Sequence, residues 1–240
     1  MRILVSFADG AFKARAAPFA AQAEQLSAFD AIRVYDREQL PPEFLRQHGD
    51  YLRGRGFGYW IWKPVVILEA LSACDDGDLV TYMDAGFSPN PAGRPRMTEY
   101  YGICQGHPDR MLSFQNVHTE NLWTKSDLAV RLGVLDRPEI IATSQLGAGM
   151  MIMANTASNR DLMREWAAIA VEQDYHFSDD SPSVEPNHPK FRGHRHDQSI
   201  SSLLRKLRGT AITHYEVQSY AGEIDRMQKR VPFWKSRLTA

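Results

Sequence analysis

Asp78-Leu79-Val80-Thr81-Tyr82-Met83-Asp84-Ala85-Gly86 decides how this chain is read. Its β-branched and aromatic residues favour a strand, and Ala85-Gly86 turns the chain at its end. Asp84 is therefore expected at the carboxyl end of a buried strand, where open α/β sheets take their ligands. A carboxylate there can reach a ligand or a divalent cation; an aspartate in a turn can equally bond its own backbone.

Elements of alternating type flank that stretch. Ile3 to Phe7 reads as a strand closed by Asp9-Gly10, the Ala-rich segment from Ala16 to Phe29 as a helix with Pro18 in its first turn, and Ala31 to Tyr35 as a second strand. Pro41-Pro42 opens a short helix. Lys63-Pro64 starts another, in which Val65, Leu68 and Leu71 recur at helical spacing. Downstream, Met111 to Phe114 and Gly149 to Met153 read as strands, Thr156 to Tyr175 as a helix, Gln198 to Leu207 as a helix that Asp197 could cap, and Ala211 to Tyr215 as a last strand. The polar, proline-containing span from His176 to His196 is a long loop, of the kind that often forms a lid or binding segment. The order implies an α/β domain with a mostly parallel central sheet flanked by helices.

Composition narrows the function. The chain has 240 residues, 43% hydrophobic and 24% charged, which suits a folded globular protein and excludes disorder of the whole. A net charge of −1 supplies no global basic field to hold nucleic acid. Cys74 and Cys104 have no metal-ligand spacing and are too few for a disulfide framework, which fits a reducing compartment. The apolar run before Asp9 and Lys13 is too short for a signal peptide, and no stretch approaches the ~20 apolar residues that span a bilayer. A cytoplasmic address is expected.

Five segments carry a resemblance in their order along the chain. The stretch from Asp78 to Gly86 resembles the strand and metal-binding Asp-X-Asp turn of GT-A-fold nucleotide-sugar glycosyltransferases, closest to the Tyr-Leu-Asp-Ala-Asp form of family 8. Trp62-Lys63-Pro64 occupies the helix start where those enzymes carry a basic donor-binding residue. Gln145 to Met153 is similar to their Asn-Ala-Gly strand, and His196-Asp197-Gln198-Ser199-Ile200 to their Asp-Gln motif. Thr213-His214-Tyr215 falls where a late histidine completes the metal site. The resemblance spans Arg2 to Tyr215 as order and spacing.

The resemblance implies a GT-A-like (Rossmann-related) single domain over residues 1–220. It also implies transfer of a sugar from a nucleotide-sugar donor to a saccharide or lipid-linked acceptor in surface-polysaccharide biosynthesis, with retention of configuration. Asp197 and Gln198 are the expected catalytic pair. Asp9, Lys63, Asp84, Gly147, Ala148, Gly149 and His196 are the expected substrate-binding residues, Lys63 facing the diphosphate. Asp84 and His214 would share a divalent cation, manganese or magnesium. Two departures bear on this: Gly86 stands where the second aspartate belongs, and Gly147 where the asparagine belongs. Diphosphate charge would then fall to Lys63, to a loosely held metal, or to loop residues such as Arg192 and Arg195. The same departures leave open a non-catalytic saccharide- or nucleotide-binding protein on this fold.

The remaining features have two readings each. Asp197 orients donor or acceptor, or caps its helix. His214 is a ligand or a strand-end histidine bonded to backbone, and His188 and His194 read as loop histidines. Tyr59, Trp60 and Trp62 stack on a sugar or base, or pack the core. The Gly54 to Gly58 segment matches no phosphate-binding fingerprint and is read as flexible. Residues 221–240, with Arg226, Lys229, Arg230, Lys235, Arg237, Phe233 and Trp234, form a basic, aromatic tail that is solvated, docked on the core, or in peripheral contact with the inner face of a membrane.

Overall fold

A computed structural model describes residues 1–214, 216 and 230–235. In chain order the elements begin β1 (Arg2–Phe7), α1 (Ala16–Leu26), β2 (Ala31–Tyr35), α2 (Pro42–His48), α3 (Gly56–Tyr59), α4 (Lys63–Ser72), β3 (Leu79–Met83) and β4 (Phe87–Pro89). They continue with α5 (Arg94–Gly106), β5 (Met111–Thr119), α6 (Glu120–Trp123), α7 (Ser126–Arg131), α8 (Pro138–Ile141) and β6 (Ser144–Ala154). Last come α9 (Ala157–Tyr175), α10 (His196–Arg208), β7 (Ala211–His214) and β8 (Phe233–Lys235). The main sheet has the order β2-β1-β3-β6-β5-β7. All its neighbours pair in parallel except β6, which runs antiparallel to β3 and β5.

Side chains alternate across each strand, and both faces of the sheet are covered. Ile3, Val5, Val80, Tyr82, Met151 and Met153 point into one core with α4, α9 and α10, where Val66, Trp166 and Leu203 are buried. Leu4, Met83, Leu112, Phe114, Met150 and Ile152 point into the other, against Phe19 of α1 and Met97 and Tyr100 of α5. This double burial leaves β3 apolar but for a buried Thr81 and holds Asp84 at its exit.

Element bounds depart from the sequence reading for local reasons. Helix α1 stops at Leu26 because Ser27 turns left-handed at φ 52°, short of the expected Phe29. Strand β6 begins five residues before Gly149 and pairs with the extension of β5 through Gln115↔Leu146 and Thr119↔Ser144. Helix α5 was not anticipated, although Met97, Tyr100, Tyr101 and Cys104 are buried at helical spacing. The C-terminal segment is docked where it is described: Phe233 and Val231 are buried, and β8 pairs with β4 through Phe87↔Lys235. Arg226, Lys229, Arg237 and the boundary at 220 lie outside the described residues. Among the described residues no helix is long and apolar enough to cross a membrane.

The long loop between α9 and α10 is pinned rather than free. The Asp127 carboxylate accepts from Val184 N at 2.8 Å, Glu185 N at 2.7 Å and His176 Nε2 at 2.6 Å. Lys125 Nζ donates to His176 O and Asp179 Oδ1 at 2.7 and 3.1 Å. Burial acts to raise the Asp127 carboxyl, but the donors from Glu185, His176 and Val184 outweigh it and hold it below the usual range. A carboxyl lowered by folding stabilises the fold above the ordinary aspartate range, and that contribution is lost as the pH falls through it. Asp127→Ala should therefore cost about 1–3 kcal/mol at neutral pH by leaving donors unpaired. Its cost should shrink in acid, and limited proteolysis should cut the loop faster. Equal melting temperatures for the two proteins at pH 7 would contradict the clasp.

Candidate functional site

The site is set up by an unusual turn. From Gly56 to Trp60 every residue has positive φ, including Phe57 at 55°, Tyr59 at 50° and Trp60 at 63°. Left-handed backbone costs a non-glycine residue roughly 1–2 kcal/mol, so such runs persist only where their surroundings fix them. Here Trp62 Nε1 donates back to Gly56 O at 3.3 Å, and the Trp62 ring stacks on Phe7 at 3.9 Å. The segment read as flexible is thus a rigid left-handed turn, and Trp62 is a core residue. Its consequence is the entry of α4, which presents Lys63 inward at the helix start, with Pro64 next to it.

Lys63 is almost wholly buried and joins residues from distant parts of the chain. Its Nζ lies 2.5 Å from Asp197 Oδ2, 3.2 Å from Asp84 Oδ1 and 3.4 Å from Ala148 O. Tyr82, two residues before Asp84 on β3, donates its hydroxyl to Asp84 Oδ1 at 2.8 Å. Asp84 N donates to Gly149 O at 2.9 Å, and a Cβ on Gly149 would meet Asp84 Oδ2 at 2.8 Å. Burial acts to lower the Lys63 ammonium, but Asp197 and Asp84 outweigh it and hold it above the usual lysine range. Burial pushes Asp197 up, against the pull of Lys63. The carboxylate of Asp84 remains 37% exposed and is the face this cluster offers to solvent. With one cation against two carboxylates, Lys63 clamps Asp84 to Asp197.

The other expected residues fall around this clamp or beside it. Asp197 lies in the first turn of α10, whose N-cap is Arg195 without a side-chain cap, so its carboxylate serves Lys63 and not the helix end. Gln198 donates its amide to Gln145 Oε1 at 2.6 Å. His196 is buried, donates Nδ1–H to Ser178 O at 2.7 Å, and packs its ring 4.8 Å from Tyr59. Tyr59 and Arg55 both donate to Asp180 Oδ2 at 2.9 Å, which ties the strained turn to the long loop. Gly147 O accepts from the buried Arg205 at 3.1 Å. Asp9 caps the helical turn that follows β1 and accepts from Arg37 N at 3.1 Å, away from the clamp's own contacts. His194 donates Nε2–H to Phe177 O at 2.9 Å, a structural role. Sequence reasoning missed Tyr82, although its two-residue spacing from Asp84 was legible. It also missed Phe12, 37% exposed, whose ring edge lies 3.5 Å from where a Gly86 Cβ would stand.

The donor set does not suit a divalent cation at this turn. Asp84 Oδ1 is taken by the Lys63 ammonium and the Tyr82 hydroxyl, Gly86 offers no side chain, and His214 stands exposed at the end of edge strand β7 opposite Gln115. Among the described residues no three His, Cys, Asp or Glu side chains are grouped to hold a metal ion.

No protein-family model matches the sequence, and no curated protein matches it. Solved structures do. A glycosyltransferase involved in glycosylation of the major capsid of PBCV-1 aligns over 98% of this chain and 91% of its own, with a TM-score of 0.52 and 9% identity. An active-site mutant of LgtC aligns over 98% and 86%, with a TM-score of 0.50 and 12% identity. At such identities the likeness is one of fold: a GT-A-type α/β domain, as the ordered motifs implied.

Proposed function

We propose that this chain is a glycosyltransferase that moves a sugar from a nucleotide-sugar donor to a saccharide or glycolipid acceptor. One observation carries the reading: Lys63 draws Asp84 and Asp197 together within 3.2 Å of a single ammonium, beyond the carboxyl ends of the parallel strands. Strand ends of an open α/β sheet are where such folds bind ligands, and partly exposed carboxylates are suited to sugar hydroxyls. The fold likeness supports the same class.

In the reaction the bond from the anomeric carbon to the diphosphate oxygen breaks, the electron pair leaves with the diphosphate, and the acceptor hydroxyl bonds that carbon and passes its proton to the departing diphosphate oxygen. Asp84 holds donor-sugar hydroxyls through its exposed oxygen. Asp197 and Lys63 fix Asp84 in place, so the site needs little reorganisation as charge develops. Gln198, held by Gln145, lines the same edge. We read the transfer as retaining and the acceptor as a surface glycan or its lipid-linked precursor, handled in the cytoplasm at the inner face of a membrane. Release of nucleoside diphosphate from a panel of nucleotide sugars, with product configuration read by NMR, tests this. Tight binding without turnover would favour a saccharide- or nucleotide-binding protein, and neither binding nor turnover would remove the proposal.

Gly149 offers a separate check. Gly149→Ala should push the Asp84 carboxylate off the Tyr82 and Lys63 contacts, because the new Cβ would stand 2.8 Å from Oδ2 and 3.1 Å from the Phe87 ring. Donor affinity should fall by about tenfold, equivalent to ~1.4 kcal/mol, with a smaller loss in melting temperature. Unchanged affinity by calorimetry would show that Asp84 does not touch the donor.

A further inference from the structure

A second polar cluster joins α6, β6 and α10, and its hydrogen bonds all run in one direction. It starts at Glu120, which is wholly buried and faces Lys206 Nζ at 2.8 Å. A carboxylate against an ammonium only accepts, so Thr124 Oγ1 gives it its single proton at 3.0 Å and Ser202 Oγ donates to it as well. Ser199 Oγ donates its own proton to Trp123 O at 2.9 Å. The Thr124 and Ser199 oxygens are left as acceptors, and both meet the buried amide of Gln145, at 3.1 and 3.2 Å, together with Trp123 O at 3.4 Å. Gln145 must therefore turn its NH2 group to all three, because the reversed amide would set oxygen against oxygen in the interior. Its Oε1 is thereby aimed at Gln198 and accepts from Nε2 at 2.6 Å. That bond orients the second amide in turn. Gln198 Oε1 has no partner among the described residues and is not buried, so the half-buried side chain presents its oxygen to solvent, next in the chain to Asp197.

We propose that Gln145 is a positioning residue for sugar transfer: held by Ser199, and by Glu120 through Thr124, it fixes Gln198 so that the Gln198 carbonyl oxygen accepts from a sugar hydroxyl. The inference rests on the glycosyltransferase reading above. Gln145 is itself wholly buried and acts only through its neighbour. An amide easily presents the wrong end, since its two ends share a shape and differ in polarity. The relay from Glu120 removes that choice before substrate arrives, so no reorganisation is needed as the reaction proceeds. It also sets what can sit there. A hydroxyl donates to a carbonyl oxygen, whereas a phosphate oxygen would meet another acceptor, so the group at Gln198 belongs to a sugar and not to the diphosphate.

Nucleoside diphosphate release by the full chain from a panel of nucleotide sugars, with octyl glycosides as acceptors and without them, tests it. Gln145→Met keeps the volume and removes both ends of the amide. Its kcat should fall about tenfold while the affinity for the donor's nucleoside diphosphate, read by calorimetry, stays in place. Gln198→Ala should lower kcat at least as much, and adding Gln145→Met to it should lower kcat no further, because Gln145 acts only through Gln198. A loss shared by donor hydrolysis without acceptor puts the hydroxyl on the donor sugar, and a loss confined to transfer puts it on the acceptor; either supports the inference. The wild-type protein gives a readout that needs no substitution: by NMR the side-chain amide protons of Gln198 should exchange with solvent more slowly than those of exposed glutamines. Wild-type kcat in Gln145→Met, additive losses in the double variant, or fast exchange at Gln198 overturns the inference and leaves the glycosyltransferase reading standing. Failure of every nucleotide sugar to turn over in the wild-type protein overturns that reading and the inference with it.

Discussion

Lys63→Ala is expected to cost about 3–5 kcal/mol of stability, enough to unfold much of a marginally stable domain at 37 °C, and to leave no measurable sugar transfer. The side chain is 3% exposed and its ammonium is the cation between Asp84 and a 9% exposed Asp197. Removing it leaves a buried carboxylate without its partner, with desolvation uncompensated, and opens a void where the alkyl stem packed. The pH dependence has a definite sign. Lys63 is held above the ordinary lysine range, so its contribution is complete below that range and disappears as the pH rises through its higher folded value. Wild-type stability should therefore fall in strong alkali more steeply than that of Lys63→Met combined with Asp197→Leu, in which both charges are gone. Replacing a buried ion pair by apolar residues is often neutral for stability, so the double variant should recover most of the loss while remaining inactive. A Lys63→Ala protein that melts with wild type would mean that the clamp does not hold the fold together.

The fold was legible because double-sided burial writes itself into the strands. Ile3 to Phe7 and Leu79 to Met83 are buried runs, apolar but for Ser6 and Thr81, whose alternate residues enter two different cores. The clamp was legible only in part. Lys63, Asp84 and Asp197 each stood out by place and type, but their mutual contact depends on the sheet order and on the left-handed turn from Gly56 to Trp60. Nothing in local propensity foretells positive φ at Phe57, Tyr59 and Trp60; tertiary contacts to Phe7, His196 and Asp180 impose it. The contacts of Trp123 with the tilted His118 ring and the Arg195 guanidinium were hidden for another reason. They join residues more than seventy positions apart through an extension of β5 that breaks register with β6 between Ser113 and Thr119. A strand that continues beyond a register shift carries no simple period-two pattern, so its reading stopped at Phe114.

Asp197→Asn separates positioning from packing. The two side chains share a shape, and asparagine still offers an oxygen to the Lys63 ammonium, so the fold should survive with a loss of about 1–3 kcal/mol. What disappears is one of the two negative charges that hold the ammonium. Lys63 then has only the Asp84 carboxylate as an ionic partner and is drawn toward it, which withdraws Asp84 from sugar hydroxyls. Sugar transfer should drop by on the order of a hundredfold, as removal of positioning groups usually does. The loss should appear in kcat more than in donor affinity, because Asp197 acts through Lys63 on the position of Asp84. A helix cap would behave differently: asparagine and aspartate cap comparably, and Asp197→Asn would then keep wild-type turnover. The observed bond to Lys63, with no side-chain cap at the start of α10, already separates the two roles in geometry. A wild-type kcat in this variant would show that the clamp's charge balance plays no part in catalysis, even with its contacts intact.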